Sequence, residues 1–177
     1  MRLAQSSAPM ALAMLLSAAP AFAQSARDAG SAASGLRAAA PSEDVARQAA
    51  ETAVKTCERM GYKTMATVVD ATGRPVVAMT ADPGLAQALA PASVKQARVA
   101  AWFHTASSNV AQRVGLDTAT YYMVLDHPQL AKPEPGGVPL STPDKPRGAI
   151  GVAGAPDPAK DEACAQAGAR TVAAKLK

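Results

Sequence analysis

Small and hydrophobic residues recur at intervals of three and four between Glu43 and Met60, which predicts an amphipathic helix. Ser42 can cap this helix, and Glu43 and Asp44 favour its positive end. Gly61 is expected to end it. The buried face would consist of Ala46, Ala49, Ala50, Ala53, Val54, Cys57 and Met60. Because most of these side chains are alanine, a second element could approach the helix closely.

Alternation of apolar and polar residues follows and predicts a hairpin. Lys63–Asp70 would be a half-buried strand, Asp70–Gly73 a turn and Pro75–Met79 the returning strand. Pro83–Pro91 is interpreted as a loop.

Helical patterns occupy the middle of the chain. A long helix is predicted from Pro91 or Ser93 to about Val110, and a shorter helix capped by Asp117 carries Tyr121, Tyr122 and Met123. A proline-rich loop, Pro128–Pro135, comes next.

Two glycine-rich blocks, Pro135–Leu140 and Gly148–Gly154, predict the last two strands, with a turn at Thr142–Arg147. Neither block has the pattern of a phosphate loop or of a dinucleotide-binding fingerprint. Asp157 and Pro158 predict the start of a final helix. The order of helix, hairpin, helices, two strands and helix predicts an α+β domain, in which helices flank a small antiparallel sheet.

The first 23 residues have the features of a secretory signal peptide. Arg2 and the terminal amine supply positive charge, Met10–Leu16 is apolar, and Ala21–Ala23 offers a cleavage pattern of small residues. The apolar run is short for a membrane anchor, so stable membrane insertion is not expected. The sequence therefore predicts a periplasmic or secreted protein that begins near Gln24. An Ala/Ser/Gly-rich linker would occupy residues 24–41 and the domain residues 42–177.

The charge distribution argues against a nucleic-acid partner. The full chain has a formal net charge of +4, and aromatic residues make up 3% of it. Lys and Arg are scattered, whereas nucleic-acid binding favours a concentrated basic surface with stacking aromatics.

Several motifs in a fixed order resemble the GlcG/HbpS family of small bacterial domains, also called the haem-degrading family. The resemblance runs from about Val45 to the C-terminus. It rests on Thr67–Arg74, on the helix segment Lys95–Ala101 and on the two glycine-rich blocks. It implies that the domain binds haem or iron and assembles into homo-oligomers. Haem turnover is not implied for every member of the family.

His104 is the candidate iron ligand. Counting back by three, seven and ten along the predicted helix reaches Ala101, Ala97 and Val94, a face of small apolar residues that could leave room for a flat ligand. The alternative is a packed or partly exposed histidine with a local hydrogen-bond partner. His127, which precedes a proline in a loop, is interpreted as a surface residue.

The resemblance carries over to two further positions. The threonine that relatives place near haem iron falls on Ser107, whose neutral hydroxyl is a poor ligand. Arg98 is retained and could bind a propionate, or could be a solvated helix charge. Relatives carry Arg-x-Asp after the second strand, whereas this chain has Thr80–Asp82 and lacks that arginine.

The two cysteines, Cys57 and Cys164, allow two interpretations. In an exported protein they could form a disulfide that closes a loop of about one hundred residues. They could equally be two buried apolar residues, each on the packed face of its own helix.

Three functions from different classes remain open. The first is an exported protein that binds haem, iron or another small molecule. The second is an enzyme that degrades haem or acts on a small molecule, although the chain has no Cys-x-x-Cys, His-Glu-x-x-His or Gly-x-Ser-x-Gly motif. The third is an accessory or sensor module that acts through oligomeric assembly.

Overall fold

The computed structural model describes residues 39–142 and 145–176. The predicted signal peptide, and the predicted linker up to residue 38, lie outside these residues. The described chain contains five α-helices and four strands. The helices are α1 Glu43–Arg59, α2 Ala86–Phe103, α3 Ser107–Val114, α4 Thr118–Leu125 and α5 Pro158–Val172. The strands are β1 Met65–Val69, β2 Pro75–Thr80, β3 Gly137–Thr142 and β4 Lys145–Ala153.

The four strands form one antiparallel sheet in the order β2-β1-β4-β3. Val68 of β1 lies opposite Val77 of β2 on one side and Ile150 of β4 on the other. The predicted hairpin is confirmed as β1 and β2. The α+β class with an antiparallel sheet is also confirmed.

Helices cover both faces of the sheet. Helices α1 and α5 pack on one face, and α2 packs on the other across β1, β3 and β4. All five residues of β1 are therefore buried. The prediction of a half-buried first strand was wrong, because alternation alone could not show that α2 covers the second face. Thr67 faces this helix, and its hydroxyl lies 2.8 Å from that of Ser93.

The layer of α1 and α5 contains the main hydrophobic core. The predicted alanine face of α1 is buried from Ala46 to Cys57, but Met60 caps the helix and is 40% exposed. Cys57 and Cys164 are joined by a disulfide in this layer, with Cα atoms 5.7 Å apart. Of the two interpretations left open by the sequence, the structure has the bridge.

Two glycines allow α2 to lie directly on the sheet. A Cβ atom at Gly151 would be 2.2 Å from the Ser93 carbonyl oxygen, and one at Gly137 would be 2.1 Å from the Gln96 carbonyl oxygen. Any larger residue at these positions would push the helix away. The glycine-rich blocks thus fix the distance between α2 and strands β3 and β4.

The bounds of α2 differ from the prediction at both ends. It begins at Ala86, directly after a short 3₁₀ turn at Pro83–Leu85, and includes Pro91. Because Pro91 has no N–H, the helix lacks one backbone hydrogen bond at this position. The helix ends at Phe103, because His104 adopts a left-handed conformation with φ of 51°. The predicted loop at Pro83–Pro91 and the predicted extension to Val110 were both wrong.

The starts of α4 and α5 agree with the sequence, whereas the start of α3 at Ser107 was not predicted. Asp117 caps α4 through the N–H groups of Ala119 and Thr120, and Asp157 caps α5 through that of Ala159. A short 3₁₀ turn, Pro128–Leu130, interrupts the predicted proline-rich loop. Among the described residues, no helix combines the length and the apolar character needed to cross a membrane.

Candidate functional site

A cleft of about 320 Å³ opens beside the C-terminal half of α2. The hairpin turn between β1 and β2 forms one wall, and the 3₁₀ turn after α4 forms another. The lining residues are Ala71, Thr72, Gly73, Arg74, Arg98, Ala101, Trp102, Gln129 and Leu130. This volume is at the lower end of the range of ligand pockets, about 300 to 1,000 Å³.

Asp70 organises the hairpin turn. Its Oδ1 atom accepts hydrogen bonds from the N–H of Thr72 (2.8 Å), the hydroxyl of Thr72 (2.6 Å) and the N–H of Arg74 (3.0 Å). Burial alone would raise the pKa of Asp70, but these hydrogen bonds outweigh it and lower the pKa below its usual value. The carboxylate therefore stays charged and holds the wall of the cleft in one conformation.

Two guanidinium groups line the cleft. The Nε–H of Arg98 donates to the Gly73 carbonyl oxygen over 3.0 Å, which ties α2 to the turn. Gly73 has φ of 80°, and a Cβ atom there would lie 3.2 Å from Cγ of Arg98. Arg74 is exposed at the same turn. The cleft thus combines positive charge from a helix and from a loop, a combination that attracts carboxylates.

An aromatic pair stands beside these charges. Trp102 lines the cleft and is 49% exposed. The ring of His127 lies 4.6 Å from that of Trp102, centroid to centroid, at an interplanar angle of 52°. The Nδ1 atom of His127 is 2.9 Å from the carbonyl oxygen of Met123 in α4. A large aromatic surface therefore remains accessible next to an imidazole in a fixed orientation.

The structure separates the three binding residues that the sequence singled out. Arg98 lines the cleft, whereas His104 and Ser107 are not among its lining residues. His104 is exposed at the end of α2, so the helix-face argument for it fails. Ser107 is fully buried; its hydroxyl donates to the Glu134 carbonyl oxygen (2.7 Å) and accepts from the Gly137 N–H (2.8 Å). The roles of these residues in ligand binding stay predictions.

Two buried carboxylates lie in the first turns of α5. Glu162 accepts hydrogen bonds from the N–H and hydroxyl of Ser108 and from the N–H of Gly136. Asp161 accepts from the N–H groups of Gly154 and Ala155. Burial raises the pKa of Asp161 to about 6 although these hydrogen bonds oppose the rise. Both side chains hold loops to the helix, which is a structural role.

Sequence reasoning missed the contributions of Thr72, Arg74, Gln129 and Leu130 to the cleft. The turn residues were found as a turn, but nothing in their spacing indicates that α2 and a later 3₁₀ turn close around them. Within residues 39–142 and 145–176, no three His, Cys, Asp or Glu side chains are grouped as a metal site would require.

Comparisons with known proteins agree with this architecture. Solved structures similar to the chain include HbpS, with 30% sequence identity over 75% of this chain and 90% of that one, at a TM-score of 0.65. A double mutant of Streptomyces reticuli HbpS is 25% identical, over 95% of this chain and 99% of that one, at 0.66.

A complex of PduOC with heme shares the fold, with 21% identity, a TM-score of 0.65, and coverage of 74% of this chain and 94% of that one. A search of curated protein sequences finds no match. The profile of the family described as "Haem degrading protein HbpS-like" matches residues 42–170. The chain therefore belongs to the HbpS-like family.

Proposed function

We propose that this chain is an exported haem-binding protein, and that haem binds in the cleft beside α2. The observation that carries the proposal is the family match over residues 42–170, in a chain whose cleft places two guanidinium groups beside an exposed indole. The description of the family and the heme complex of PduOC support haem as the ligand.

The cleft offers contacts for the ring and the propionates of a porphyrin, although none of its lining residues is a His, Cys, Met or Tyr that could ligate the iron. The ring needs an apolar, flat contact, which Trp102, Ala101 and Leu130 offer. The two propionates need cations, which Arg98 and Arg74 offer. Because the cleft is small and partly open, one edge of the ring would be held while the opposite edge stays accessible. Bound haem would supply a redox-active iron at this surface.

The guanidinium group of Arg98 would bind a propionate from an orientation that is already fixed in the free protein. Its Nε–H is already engaged with the Gly73 carbonyl oxygen, so the guanidinium plane is fixed before a ligand arrives. Its terminal amino groups make no hydrogen bond within the described part of the chain, and a carboxylate could accept two bonds from them. Fixing the donor in advance reduces the entropy lost on binding.

Export is part of the proposal. It is supported by the leader-like residues 1–23 and by the Cys57–Cys164 disulfide, since disulfides persist in oxidising compartments. Cleavage near Ala23 would release the chain to the periplasm or the medium.

Assembly into a homo-oligomer is also proposed. Helix α4 and its flanks expose large apolar side chains that a monomer rarely leaves uncovered together. These are Leu116, Tyr121, Tyr122, Met123 and Leu125. Sedimentation of the purified chain should give a mass of two or more copies, and Tyr122→Asp should lower it; a monomeric wild type would refute this part.

The test of haem binding is a titration of the purified chain with hemin, followed at the Soret band. We expect saturable binding, weakened about tenfold in Arg98→Ala and in Arg74→Ala, because each loses a charge-assisted contact of about 1.5 to 3 kcal/mol. Arg170→Ala is the matched control, since Arg170 is exposed on α5, on the other face of the sheet. Circular dichroism would confirm that each variant is folded.

Haem degradation is the second candidate, favoured by the description of the family. Such chemistry needs a proton donor near the iron. None of the residues that line the cleft is an Asp, Glu or His that could donate such a proton. Incubation of the hemin complex with a reductant, followed by product analysis, separates the two: loss of the Soret band with release of an open-chain tetrapyrrole would favour the enzyme.

A further inference from the structure

We infer that the cleft recognises a porphyrin by its ring and its propionates and not by its metal, so that haem and iron-free protoporphyrin IX bind with equal affinity. The inference rests on the proposed function, because it requires the cleft to bind haem. It widens the ligand class from haem to porphyrin dicarboxylates, whether or not they hold iron.

The side chains of the cleft do not supply a bond to iron. Haem iron is held in proteins by His, Cys, Met or Tyr, and none of the nine residues that line the cleft is of these types. The guanidinium groups and the indole N–H can only donate hydrogen bonds. Thr72 and Gln129 carry neutral oxygens, which suit magnesium or calcium better than iron. The hydroxyl of Thr72 also donates to Asp70 over 2.6 Å.

Both histidines of the chain lie outside the lining of the cleft. His104 is exposed, in the left-handed conformation that ends α2. The Nδ1 atom of His127 lies 2.9 Å from the carbonyl oxygen of Met123, which ties this side chain to the end of α4. Iron ligation by His104 would therefore need the iron to lie outside the cleft.

The contacts that the cleft does offer are directed at parts common to both porphyrins. Ala101 and Leu130 are 3% and 1% exposed and form an apolar floor, beside which the indole of Trp102 is 49% exposed. These side chains suit the flat ring. Arg74 and Arg98 suit the two carboxylates. Since haem and protoporphyrin IX share the ring and the propionates, these contacts do not distinguish them.

The only tryptophan of the chain reports binding at this place. Trp102 lines the cleft, so a porphyrin that contacts it should quench its fluorescence with or without iron. The purified wild type is titrated with hemin and with protoporphyrin IX, each below the concentration at which it aggregates. We expect dissociation constants that agree within about threefold, because a bond to iron contributes nothing.

Variants of the cleft should affect both porphyrins alike. Arg98→Ala should weaken the binding of each about tenfold, because the lost contact is to a propionate. Arg170→Ala is the matched control and should change neither affinity, since Arg170 is exposed on α5. Circular dichroism would confirm that each variant is folded.

The histidines are tested by a second measurement. The Soret band of the hemin complex reports the ligands of the iron. We expect the same band in the wild type, in His104→Ala and in His127→Ala, because neither imidazole binds the iron.

The other outcomes separate this inference from the proposed function. Dissociation constants that differ by more than about threefold would overturn the inference, since iron would then matter for recognition, through a ligand from this chain or from a second copy. A Soret band that shifts in either histidine variant would also overturn it. Hemin binding would leave the proposed function in place in both cases. Quenching by neither porphyrin would refute the proposed function itself.

Discussion

Removal of the Cys57–Cys164 disulfide should destabilise the domain by about 5 kcal/mol. The two cysteines are separated by 107 residues. For a closed loop of this length, the chain-entropy model gives a loss of unfolded-state entropy of about 16 cal/mol/K, or about 4.8 kcal/mol at 25 °C. Most domains have a free energy of unfolding of about 5 to 15 kcal/mol, so the reduced protein would be marginally stable.

The assay is urea unfolding of the oxidised wild type and of the same protein refolded in a thiol-free reductant. Both samples keep the two sulfur atoms in the core, so the difference reports the bridge and not a cavity. Circular dichroism follows the transition, and mass spectrometry after alkylation in urea confirms the state of the thiols. We expect the midpoint to fall by about 2 to 5 M, given a slope of about 1 to 3 kcal/mol/M. A loss below about 1 kcal/mol would refute the reasoning.

Three further predictions concern pH, packing and processing. Because the pKa of Asp161 is raised to about 6, the folded state holds a proton that the unfolded state releases, so stability should fall as pH rises from about 4 to 6. In Asp161→Asn, the free energy of unfolding should fall less over this pH range, by on the order of 1 kcal/mol. An equal fall in both proteins, measured by urea unfolding, would contradict the prediction. Gly151→Ala should cost about 1 to 3 kcal/mol, because its Cβ would lie 2.2 Å from the Ser93 carbonyl oxygen. Gly115→Ala is its control, with a nearest contact of 3.6 Å. Intact-mass analysis of protein from the periplasm or medium should give a chain that starts at Gln24 or within about two residues of it; a full-length cytoplasmic product would count against export.

Local patterns in the sequence were sufficient for most elements of the fold. Ser42, Asp117 and Asp157 cap helices because each side chain satisfies nearby N–H groups, and that chemistry is visible without tertiary contacts. The hairpin was predictable for the same reason, since Asp70 accepts hydrogen bonds from N–H groups within its own turn and Gly73 supplies the positive φ.

The errors arose where tertiary contacts override local preference. The helix was expected to start at Pro91 or Ser93, yet α2 begins at Ala86 and includes Pro91, which has no N–H to donate. The end of α2 depends on one residue, His104, in a left-handed conformation that its side chain does not require. The expected ligand role of His104 relied on a helix that continues past this residue. Because the helix ends there, the helix-face argument for His104 does not hold.

The cleft could be predicted only in part. Arg98 was identified from the resemblance, but its neighbours come from separate segments of the chain: the turn at Ala71–Arg74 and the 3₁₀ turn that carries Gln129 and Leu130. His127 was interpreted as a surface residue, because its contacts with Trp102 and Met123 depend on how α4 packs beside α2.

The most direct test of the central claim is a crystal structure of the chain with bound hemin. The account predicts density for the porphyrin between the hairpin turn and α2, with its ring against Trp102 and a propionate at Arg98. A hemin bound elsewhere on the domain, with the cleft free of it, would contradict the account.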